Sequence, residues 1–103
     1  MSKLKLQPNP TFTAKVGIPV AGASDVSVEF TFRHRTRDEL KAFIEASGGR
    51  EDEDTILEMA SGWELADAFT RENVSLLVQN YIAAGRAVFD KYVAELAKAR
   101  EGN

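Results

Sequence analysis

Cysteine is absent from the 103 residues, which excludes disulfides and thiolate metal sites outright. Histidine is nearly absent as well: His34 stands alone, so a zinc site would have to be dominated by carboxylates, an uncommon donor set. No apolar run approaches the ~18 residues that a membrane-spanning helix needs, and no signal-peptide apolar segment follows Met1. A cytosolic chain with no membrane partner is expected. Serine nucleophile elbows and phosphate-cradling glycine loops are missing too, and Gly48-Gly49 reads as a helix stop. Nothing in the chain supports an enzyme, a cofactor or a metal.

Charge is the next thing in short supply. The net is only −3, too small to argue for a nucleic-acid or membrane partner. The distribution is uneven, however. Residues 1–41 carry seven Lys/Arg against four Asp/Glu, and residues 42–72 carry two against nine. Such asymmetry suits either solvated faces or head-to-tail contacts between copies. The one basic cluster, Arg33-His34-Arg35 with Arg37 beyond, is a small footprint in an acidic chain, so no nucleic acid is expected. The acidic run Glu51–Asp54 lacks the interleaved spacing of a calcium loop and reads as a helix start.

What is present is a clear change of period along the chain. Residues 1–10 hold Pro8 and Pro10, two of the three prolines, and show neither period; a flexible arm is expected. From residue 11 the pattern alternates strictly. Phe12, Ala14, Val16, Ile18 and Val20 share one face, and Val26, Val28, Phe30 and Phe32 repeat the pattern after residues 21–25. Two half-buried antiparallel strands are predicted. Pro19 belongs at a strand end or edge, because it cannot donate to a ladder. A lone hairpin is marginal in water, so its apolar face must lie on helices.

Thr36-Arg-Asp-Glu39 is a full capping box, followed by Leu40, Phe43 and Ile44. Ile56, Met59, Ala60 and Trp63 follow at helical spacing, with Gly62 ending that helix. Thr70 caps the next helix, whose stripe runs through Val74, Leu77, Val78 and Tyr81. A break is predicted near residues 82–85, before a last helix over about residues 83–100. The positions Ile82, Gly85, Phe89, Tyr92, Leu96 and Ala99 of that helix also follow a short heptad-like seam, although packing on its own domain is the preferred reading. One α+β domain results, with an N-terminal antiparallel hairpin or small sheet (11–35) packed against about four helices (36–101). Its expected core is Trp63, Phe69, Leu77 and Tyr81.

The order of these elements resembles that of the phage tail assembly chaperones of long-tailed (siphovirus) phages, over most of residues 10–103. The resemblance rests on the hairpin ending in Phe30-Thr-Phe-Arg33-His34-Arg35, on Arg37-Asp-Glu-Leu40, Gly62-Trp63 and Phe69-Thr70-Arg-Glu-Asn73, on Leu76-Leu77 with Tyr81, and on Tyr92-Val-Ala-Glu-Leu96 before the tail 99–103. Members commonly carry a proline just after the tyrosine matching Tyr81, where this chain has Ile82.

The resemblance implies a non-catalytic chaperone that coats the tape measure protein before the tail tube polymerises around it. It implies action in the host (or prophage-bearing) cell cytoplasm, absence from the mature virion, and a homo-oligomer. A longer form, made by frameshifting, would recruit the tail tube protein. The alternative is a structural tail completion or connector protein retained in the virion. Expected protein-binding positions are Val28, Phe30 and Phe32 on the hairpin and Phe89, Tyr92 and Leu96 on the last helix.

Overall fold

A computed structural model describes residues 3–98. The elements follow in the order β1 (Thr11–Ile18), β2 (Val26–Arg33), α1 (Arg37–Ala46), α2 (Asp52–Met59), β3 (Ala60–Trp63), α3 (Arg71–Asn80) and α4 (Ala84–Ala97). The α+β class expected from the sequence is the one observed: four helices and an antiparallel sheet in a single domain. Residues 3–10 carry no regular element and are exposed. The expected end of the last helix, at 99–101, lies outside the described residues.

The hairpin is the one that alternation predicts. β1 and β2 pair without a slip from Thr11 opposite Arg33 to Ile18 opposite Val26. Pro19 ends β1, as its missing N–H requires. Gly22 turns the chain with φ of +76°, a conformation glycine adopts without steric cost.

The sheet gains a third strand where a helix was expected. The helical spacing of Ile56, Met59, Ala60 and Trp63 does not carry through: α2 stops at Met59, and Ala60–Trp63 becomes β3 on the far side of β2. Phe30 pairs with Trp63 and Thr31 with Gly62, and a bulge between Thr31 and Phe32 shifts the register to reach Ala60. The Glu64 amide extends the ladder to the Glu29 carbonyl (2.9 Å), while the Glu29 amide donates to the Glu64 carboxylate (2.7 Å). Tertiary pairing outweighs local spacing here, because the second edge of β2 would otherwise leave its polar backbone groups unpaired.

Local signals set the helix starts. Thr36 Oγ1 accepts the Glu39 amide (3.2 Å) and the Glu39 carboxylate accepts the Thr36 amide (2.8 Å), completing the capping box. Those bonds hold the Glu39 carboxyl below its ordinary range. Thr70 likewise accepts the Asn73 amide, but the Asn73 side chain donates to the Ala68 carbonyl instead of returning to the cap. The break before α4 forms with Ile82 in place of the relatives' proline: Tyr81 leaves helical geometry at φ −125° and ψ 87°. Gly85, read as a helix weakener, is buried against the start of α2, where an added Cβ would lie 2.4 Å from Asp52 Oδ2.

Tyr92 of α4 is the hub of the core. It is fully buried, and its ring meets Phe12, Phe32 and Phe43 at centroid distances of 6.2, 5.2 and 5.8 Å. Its hydroxyl donates to the Arg33 carbonyl and accepts from Arg35 Nη1, both at 2.8 Å. The same Nη1 donates to the Glu58 carbonyl near the end of α2 (3.0 Å), and the guanidinium lies 4.4 Å over the Phe43 ring. Burial raises the Tyr92 phenol above its ordinary value, against the opposing pull of Arg35. Ile56, Met59, Val74 and Val88 fill the remaining space under the sheet.

Removing the hydroxyl strands the Arg33 carbonyl and loosens Arg35. Tyr92→Phe is therefore expected to cost about 1–3 kcal/mol in urea unfolding. A second expectation concerns acid. Hydrogen bonding to Arg50 holds the Glu58 carboxyl low, and Lys98 and Lys91 do the same for Glu95. A depressed carboxylate contributes stability above its unfolded value, about 4.3 for glutamate, and that stability is lost as pH falls through the lower folded value. Melting temperature should therefore fall on acidification below about pH 4.3, and Glu58→Gln should flatten that fall.

A candidate protein-docking groove

The residues expected to meet a partner divide on burial. Phe30, Phe32 and Tyr92 are fully buried and Val28 nearly so, because α2 and α4 cover the apolar face of the sheet. On this fold they build the core and are not presented to another protein. Phe89 and Leu96 are half-buried against the same core. Among the expected core residues, Trp63, Phe69 and Leu77 are also half-buried, and Tyr81 is 40% exposed because its backbone has left the helical path.

The basic cluster separates in the same way. Arg35 turns inward to Tyr92 and Phe43, while Arg33 is exposed and His34, half-buried, donates its amide to the Pro10 carbonyl (2.8 Å). Arg35 is thus a structural residue. Among the described residues no group of His, Cys, Asp or Glu is arranged to hold a metal, and no helix is long and apolar enough to cross a membrane.

Exposed apolar surface gathers instead around the indole. Trp63 stands at the end of β3, edge-on to Phe30 (5.9 Å) and to Phe69 (5.1 Å). Its Nε1 donates to the Asp67 carbonyl at 2.7 Å, which wraps the loop 64–69 around the ring. The rest of that ring forms one wall of a groove of about 210 Å³, shared with Leu65, Leu76, Leu77 and Tyr81 and edged by Asp67, Asn73 and Asn80. Leu76 is 59% exposed and Leu65 37%.

The groove is smaller than the ~300–1,000 Å³ of small-molecule sites, and only its rim is polar. It is the size of one or two apolar side chains. That makes it a surface for protein, offering exposed leucines and an aromatic wall of the kind that anchors interfaces. A second cavity, about 290 Å³, lies across the molecule between Ser47, Asp52 and Arg86, and its lining is more polar.

Sequence reasoning placed the working surface on the hairpin and α4 and so missed this one. Two signals were available. Leu76 is apolar yet lies off the buried stripe Val74, Leu77, Val78, and Leu65 sits in a loop where no core claims it. Each is unremarkable alone; pairing β3 with β2 brings them to the same indole.

Because Trp63 belongs to both core and groove, its truncation should read differently from that of its neighbours. Trp63→Ala is expected to cost about 3 kcal/mol in denaturant unfolding, the low end for a large aromatic ring. Leu76→Ala should stay within about 0.5 kcal/mol of wild type. Its effect is expected in binding assays alone.

Searches of curated proteins and of solved structures find no match to this chain. A sequence model of the phage tail assembly chaperones matches residues 1–103, the entire chain, and so takes in the hairpin, the indole with its groove, and α4 alike. The chain belongs to the phage tail assembly chaperone family.

Proposed function

We propose that this chain is a non-catalytic chaperone that coats the tape measure protein, holding that long helical client soluble until the tail tube polymerises around it. The observation that carries the reading is the apolar groove beside Trp63 on a chain of this family. A helical client that would aggregate alone exposes a stripe of apolar side chains, and a groove sized for one or two of them can hold it at intervals. Many copies then cover its length. Such work belongs to the host cell cytoplasm and ends before the virion matures. The tail tube protein would be recruited by a longer, frameshifted form of the chain.

Co-expression with the large helix-rich protein encoded next to it tests the reading. The client should move from the insoluble to the soluble fraction with the wild-type chain, and Leu76→Asp should abolish that shift. Unchanged client solubility would defeat the coating role. Mass spectrometry of purified particles should find the chain absent, whereas stoichiometric copies in mature virions would identify a structural tail component instead.

A further inference from the structure

The groove has a counterpart elsewhere on the same chain. Residues 3–10 are exposed throughout, and Leu4 and Leu6 are exposed by 83% and 95%. Two leucines at i and i+2 share one face of an extended chain, and Lys3 and Lys5 take the other. Pro8 and Pro10 hold the residues before them away from helix, so an extended arm is favoured before any contact is made. The arm thus offers two apolar side chains about 7 Å apart with a cationic back.

The groove offers the complement. Its floor takes one or two apolar side chains, and Asp67 stands at its edge. The stretch 64–72 that bounds it carries Glu64, Asp67 and Glu72 against one cation, Arg71, which is already paired with Asp54. A segment with leucines below and lysines above meets both requirements. Its own copy is poorly placed to supply it. The arm leaves the sheet from β1, the groove lies beyond β3, and β2 separates the two.

We infer that the N-terminal arm of one copy docks in the Trp63 groove of a second copy, with Leu6 and Leu4 against Trp63, Leu76 and Tyr81 and the lysines facing Asp67. Arm and groove are different surfaces, so the contact is head-to-tail and each added copy presents a new groove. It covers the groove until a client competes for it. The competition rests on the chaperone reading; the arm–groove contact does not.

Size-exclusion chromatography with light scattering on the full-length chain tests the contact. The mass of the wild-type protein should climb from one chain (11.3 kDa) as concentration rises, with a matching blue shift in the emission of Trp63, the sole tryptophan. Leu6→Asp and Leu76→Asp should each remain single-chain at every concentration. Both positions are exposed, so wild-type circular dichroism and melting are expected. Mixed in equal amounts, the two variants retain one intact arm and one intact groove and should form a two-chain species and nothing larger. Lys5→Glu offers a milder arm variant and should weaken association at low salt.

A wild-type chain that stays single at all concentrations would overturn the inference. So would Leu6→Asp assembling like wild type, or a mixture that never pairs. An arm-dependent emission shift that is independent of concentration would mean docking within one chain, and would overturn it equally. Client solubility on co-expression is read separately. Leu6→Asp should preserve it, so loss of self-association with client rescue intact leaves the chaperone reading standing.

Discussion

The buried hydroxyl of Tyr92 sets the terms on which the domain closes. A phenol oxygen in an apolar core must find partners, and here it finds the Arg33 carbonyl at the end of β2 and the guanidinium of Arg35 just beyond. Arg35 in turn satisfies the Glu58 carbonyl, one of the acceptors left over at the end of α2, where a cation also complements the helix dipole. With that carbonyl satisfied, α2 can stop at Met59 and the chain can turn directly into β3. One cation and one phenol thereby join α4, β2 and α2, and Phe43 brings α1 onto the same guanidinium.

The third strand is what turns a core into a surface. β3 carries Trp63 to the margin of the sheet, where one side of the indole packs edge-on to Phe30 and Phe69 and the remainder stays in reach of solvent. α3 then lies beside it with Val74 buried and Leu76 outward. A groove walled by side chains that also hold the domain together is rigid before a partner arrives, which lowers the ordering cost of binding. This is useful in a family whose work is transient, since a modest preformed site can be vacated when the tail tube takes over.

Much of the architecture is legible from residue order alone. The alternation from Phe12 to Phe32 states the hairpin and its facing, Thr36 and Glu39 state the start of α1, and Thr70 states the start of α3. These are short-range effects, complete within a few residues of chain. The reading of residues 56–63 as helix fails because the four residues that end it are claimed by an edge forty places earlier in thought but adjacent in space: β2 had one side still open. The candidate site fails to appear for the same reason, since no local pattern tells Leu65 and Leu76 that they will share one indole.

By itself, then, the sequence determined the class, the hairpin, the helix caps and the family resemblance, all of which follow from local periodicity, capping chemistry and the order of elements. Only the tertiary structure decided which apolar residues are spent inside. Phe30, Phe32 and Tyr92 vanish into the core, while Leu76 and Tyr81 remain outside it. The physical reason is that burial is a property of the whole packing arrangement: a helix or strand states which side chains share a face, and only its neighbours determine whether that face is covered.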